Sequence, residues 1–166
     1  MHVASLRSVV RTPALKRARG PVALVIAEDD AAVSETVAHH KNLGFRTIIL
    51  AAPPGMDTLG NDVIQFDHPT RNENATSDIV SAIARALPRD TWLYYGYNAE
   101  FLFFPMSDTR SIGEMLAFHS EERRTAMLTY VVDLYPDDLE VAPDAIALDN
   151  AHFDKTGYYA LARPGA

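Results

Sequence analysis

Carboxylates stand where strand-like runs give way to loops, and they are the residues of this chain best suited to chemistry. Asp29 follows the run Val22 to Ala27, Asp57 follows Arg46 to Ala51, and Glu100 closes the stretch that begins at Trp92. Asp133 comes after the apolar residues of Ala126 to Val132. Carboxylate oxygens in such places can hold Mg²⁺ or Mn²⁺, which want hard oxygen ligands, or take a proton from a hydroxyl. Arg110 and Lys155 are the basic side chains available to a phosphate. The chain has no cysteine, so thiolate nucleophiles, thiolate metal sites and disulfides are excluded. Catalysis would have to use carboxylates, histidines or hydroxyls.

The elements that must position these groups alternate in period. Val22 to Ala27 reads as a short buried strand, and Asp30 to Leu43 as a helix ended by Gly44. Arg46 to Ala51 and Asp62 to Phe66 read as further strands, separated by a loop at Pro53-Pro54-Gly55. Thr76 or Ser77 can cap a helix to Leu87 that buries Ile79, Val80, Ile83 and Leu87, and Pro88 stops it. Trp92 to Tyr95 is apolar throughout, as for a strand covered on both faces, with Gly96 giving room to turn. Ser111 to Phe118 is expected as a short helix and Ala126 to Tyr135 as a long strand. The order predicts a mostly parallel α/β sheet with flanking helices, and chemistry in such sheets sits at the carboxyl ends of strands.

With 166 residues and 48% hydrophobic content, the chain predicts one α/β domain over residues 21–166. The net charge of −7 hides an asymmetry, because residues 1–20 carry Arg7, Arg11, Lys16, Arg17 and Arg19 and no acid. That segment reads as a flexible basic arm that could touch an anionic membrane. The acidic remainder argues against a nucleic-acid binder. No run approaches the ~20 apolar residues of a membrane span and no secretory signal is visible, so a cytoplasmic location is expected.

The string Tyr97-Asn98-Ala99-Glu100-Phe101-Leu102 resembles the Asp-x-Asp-Glu-Phe-Leu strand end of family-two glycosyltransferases, of the Rossmann-like GT-A type. Glu100, Phe101 and Leu102 match, whereas Tyr97 and Ala99 replace the aspartates that hold the metal. Ala27-Glu28-Asp29 through the His39-His40 helix to Leu43-Gly44-Phe45 is similar to a second family stretch, and Gly55-Met56-Asp57 stands where Ser-x-Asp is frequent. Arg110-Ser111-Ile112 and Val132-Asp133-Leu134-Tyr135 resemble the region beyond the motif. The resemblance covers roughly residues 22–160.

It implies a domain that binds a nucleotide sugar across Asp29, Asp57, Glu100 and Arg110 and transfers the sugar to a glycan or lipid acceptor. Asp29 would meet the ribose or base. Glu100 would hold a divalent cation, helped by Asp29, Asp57 or His152, and Asp133 would serve as acceptor-side base. Family members are usually longer, so a truncated or minimal version is implied.

Other readings attach to the same residues. Glu100 reads equally as a strand-end charge or capping partner, Asp133 as a hydrogen-bonded strand residue, and Asp137-Asp138 as a solvated turn. His39-His40 read as a helix surface plus one packing ring, and Tyr94, Tyr95, Phe101, Phe103 and Phe104 as core. The altered motif also suits a non-catalytic binding or scaffold domain. Finally, Ala23 to Ala31 with Leu43-Gly44-Phe45 resembles the opening of a response-regulator receiver domain, although the polar stretch Asn72 to Asp78 stands where that family needs a strand-end aspartate.

Overall fold

The computed structural model describes residues 1–153. The chain divides into two compact units, Met1–Thr125 and Ala126–Ala166. The first unit is an α/β layer structure around a five-stranded, all-parallel sheet. Its elements in chain order are β1 (His2–Val3), α1 (Leu6–Val9), α2 (Pro13–Lys16), β2 (Val22–Ile26), α3 (Val33–Asn42), β3 (Thr47–Ala52), β4 (Val63–Asp67), α4 (Ala75–Ala86), β5 (Leu93–Tyr97) and α5 (Ile112–Glu121).

The strand order is β1-β4-β3-β2-β5. Ile26 pairs with Ala51 on one side and Tyr97 on the other, which puts the ends of β2 and β5 level. The order therefore reverses at β2. A Rossmann-like sheet has this arrangement for its first four strands, whereas a receiver places its third strand directly beside its first. Here β4 is separated from β2 by β3, and the receiver resemblance is overturned by that topology.

Alternation along the strands builds two cores. Ala23, Val25 and Ala27 face one layer with Val33 and Val37 of α3 and Ile112 and Leu116 of α5. Val22, Leu24 and Ile26 face the other layer, with Ile79 and Ile83 of α4, Val9 of α1, and Leu15 and Ala18. Burying each of the larger side chains fully contributes roughly 1.5–3 kcal/mol. Helix α3 ends where Gly44 turns at φ +94, the left-handed conformation a glycine accepts without strain.

Three expectations change. The first twenty residues are not a loose arm: β1 pairs with β4, and Val9 and Leu15 have no exposed surface. The basic charges hid this apolar anchor. Strand β5 is a sheet edge whose cover is partial: Trp92 and Tyr94 pack on one core and Leu93 and Tyr97 on the other, but Tyr95 is 51% exposed. Helix α4 starts two to three residues earlier than the hydroxyl caps Thr76 or Ser77 suggest, behind Asn74 at φ 63 with no side-chain cap bond.

The second unit is described to Phe153. Ala126 to Tyr135 forms no strand there; among the described residues the unit's β-pairing is a single antiparallel bridge, Tyr135 with His152. Strand-forming side chains do not make a strand without a partner for the backbone. His152 Nε2 lies 2.8 Å from Asp137 Oδ1, and Asp138 turns its own loop by accepting the Glu140 N–H at 2.8 Å.

Candidate functional site

The carboxyl ends of β2 and β5 flank the point where strand order reverses, the place where open α/β sheets receive ligands. Asn98, directly after β5, ties the two ends together. Its Oδ1 accepts the Glu28 N–H at 3.0 Å, and its Nδ2 donates to Asp29 Oδ1 at 2.7 Å and to the Ala31 carbonyl at 3.1 Å. Asp29 also accepts the Ala31 N–H at 3.2 Å and an Arg71 guanidinium N–H at 3.1 Å. Its side chain stays 48% exposed, so lone pairs remain for a ligand.

Below this edge the loops are fixed from inside. Buried Thr70 donates to the Ala27 carbonyl at 2.6 Å, and the Tyr97 hydroxyl lies 2.8 Å from Thr76 Oγ1. Buried Thr36 accepts the Ala99 N–H at 2.9 Å, holding Ala99 at φ 61. That backbone region is sparsely occupied by residues with a Cβ, so the surrounding bonds must offset its strain.

Glu100 is half-buried, and its Oε2 accepts the Tyr97 N–H at 2.9 Å. It is the capping partner of its own turn. Gly96 makes room for it: a Cβ there would stand 2.9 Å from Glu100 Oε2 and 2.5 Å from the Tyr94 hydroxyl oxygen. Burial, and then the nearby Glu100 charge, push the Tyr94 phenol up to about 12, so it is a neutral hydroxyl at physiological pH.

Beneath Tyr94, the His40 ring stacks at 5.0 Å between centroids and gives its Nδ1–H to the Thr36 carbonyl at 2.7 Å. Its Nε2 is buried with no partner, and burial holds the imidazole below its ordinary value. His40 is thus a neutral core ring. His39 instead reaches out, with Nε2 2.7 Å from the Leu102 carbonyl and its ring 5.2 Å from exposed Phe103.

The structure brings Asp29 and Glu100 to adjacent strand ends but gathers no metal centre. Among the described residues no three His, Asp or Glu side chains are placed to hold an ion. Glu100 thus stands at this edge without two further such side chains gathered around it among the described residues. Asp57 is exposed on the β3–β4 loop, where only its carbonyl is used, accepting from Gln65 Nε2 at 3.1 Å. Arg110 does not face this edge as a free cation; it donates to Glu114 Oε1 at 2.9 Å beside the α5 cap. Asp133 lies in the second unit, exposed and outside any strand, so it is not a hydrogen-bonded strand residue. Lys155 lies outside the described residues.

Asn98 is the functional candidate that the sequence reading missed. Its signal was an asparagine at a strand end, a residue that habitually bonds nearby backbone. No family model, curated protein or solved structure matches the chain.

Proposed function

We propose that the Met1–Thr125 unit recognises a nucleotide sugar at the carboxyl edge formed by β2 and β5, as a binding domain of the family-two glycosyltransferase type. The observation that carries this reading is the Asn98–Asp29–Arg71 cluster at the reversal of strand order, which leaves an exposed carboxylate ready to accept hydroxyl or base N–H donors. Family-two chemistry neutralises a leaving diphosphate with a cation held by carboxylates. Glu100, whose Oε2 already takes the Tyr97 N–H, and Ala99, which has no side-chain ligand atom, do not make a pair of carboxylates for it. Recognition without a protein-held metal is therefore favoured over transfer.

Calorimetry of the chain against UDP and GDP sugars, with and without Mn²⁺, tests this. The expected result is binding that is independent of Mn²⁺, weakened in Asp29→Ala and retained in Glu100→Gln. Transfer remains the second reading, on the strength of the Glu100-Phe101-Leu102 match. Binding that requires both Mn²⁺ and Glu100 would establish it and overturn the metal-independent one. Absence of binding to every donor would remove both.

A further inference from the structure

We infer that the helical layer formed by α1, α2 and α4 is a docking surface for an anionic lipid bilayer. The first two helices are folded onto the sheet through Val9, Leu15 and Ala18, in the same cluster as Ile79 and Ile83 of α4, so their cations belong to one built layer. Arg7, Arg11, Lys16, Arg17 and Arg19 are all exposed, and so is Arg85 in the last turn of α4. Among the described residues none of the six forms an ion pair. The one carboxylate on α4, Asp78, sits in its first turn, at the opposite end from Arg85.

The concentration of charge is local. All 22 acidic residues lie beyond residue 20, and several stand at the carboxyl edge of the sheet, including Glu28, Asp29 and Asp67. The unit thus has a cationic layer and an acidic edge. A planar polyanion can touch the layer alone, whereas a nucleic acid would have to be gripped by a groove or a reading helix. Five of the six cations stand on four-residue helices and the loops beside them, and residues 1–20 hold no Phe, Tyr or Trp on which bases could stack. Charge complementarity to anionic headgroups is what this arrangement fits.

Each Lys or Arg near an anionic surface multiplies partitioning about fivefold at moderate ionic strength. Flotation of the full chain with vesicles of phosphatidylcholine and phosphatidylserine, against pure phosphatidylcholine, reads this directly. The expected result is binding to the anionic vesicles alone, lost in 0.5 M salt. R11Q/K16Q/R17Q should weaken it roughly 100-fold and R85Q about fivefold. R123Q/R124Q, just beyond α5 on the other face, should leave it unchanged. The exposed substitutions are checked by circular dichroism, and R85Q provides a second variant outside the α1–α2 segment. Equal binding to neutral vesicles, equal weakening by R123Q/R124Q, no binding to anionic vesicles, or retention by duplex DNA without vesicle binding would each overturn the inference.

Discussion

Replacing Asn98 isolates what holds the candidate site together. Asn98→Ala deletes the acceptor for the Glu28 N–H and the donors to Asp29 and the Ala31 carbonyl. A net intramolecular hydrogen bond contributes about 0.5–1.5 kcal/mol, and two of these three are exposed, which places the loss near the low end at about 2 kcal/mol. Asn98→Asp keeps the acceptor but sets two carboxylates about 3 Å apart, where partial exposure leaves roughly 1–3 kcal/mol of repulsion. The aspartate variant is therefore expected to be about 1 kcal/mol less stable than the alanine variant at pH 7. The gap should close near pH 4, where one carboxyl takes a proton. The single tryptophan, Trp92, donates to Ser120 Oγ at 3.1 Å within the Met1–Thr125 unit, so its fluorescence in a urea titration reports on that unit. An aspartate variant as stable as the alanine variant at pH 7, or a gap unchanged at pH 4, would refute the role given to Asn98.

Gly96→Ala should cost about 2 kcal/mol through its collision with Tyr94 and Glu100, and less in a Tyr94→Phe background, where only the approach to Glu100 Oε2 remains below 3 Å; equal losses in both backgrounds in urea melts would remove the Tyr94 hydroxyl from the steric explanation. Because burial lowers the His40 imidazole, the unfolded chain takes up a proton near pH 6.5 while the folded chain does not. Stability should be level above that pH and fall below it, by at most about 1.4 kcal/mol per pH unit, and His40→Leu should flatten that slope between pH 6.5 and 5.5. At α5, the Ser111 N–H bond followed by Arg110 holds the Glu114 carboxyl at about 2, so the capping box persists in acid until that pH. Ser111→Ala should cost about 1 kcal/mol in helix stability and raise the Glu114 midpoint in a carbon-13 carboxyl titration. A midpoint that stays near 2 would show that the serine hydroxyl is not part of the hold.

Period and punctuation revealed the first unit's strands and long helices because those signals are local. Val22 to Ala27, Arg46 to Ala51 and Asp62 to Phe66 each fall within a residue of an observed strand, and Gly44 and Pro88 stop helices as read. Neighbourhood is not local. Nothing in Trp92 to Tyr95 says that among the described residues no strand pairs with its outer side, and an aromatic edge strand has the same composition as a central one. Ala126 to Tyr135 shows the converse, a strand-like run whose backbone finds only one bridge among the described residues. At the site, the carboxylates were legible by type and placement, but not by what they bond. Glu100 is turned onto the Tyr97 N–H by a loop whose path depends on Thr36 in another element, and Asp29 is clamped from residues 42 and 69 positions away.

The all-parallel sheet has a consequence for the order in which this molecule can assemble. It contains no hairpin, so every strand pair waits for a crossover, and β5 must find β2 some seventy residues upstream while β1 finds β4. Such distant pairings close late because loop entropy must be overcome first. The edge that Asn98 clamps is thus completed only when the last strand docks, and it should be the first part to open under native conditions. A ligand held between β2 and β5 would act as a staple across that seam, slowing amide exchange in β5 before it changes the exchange of the central strands.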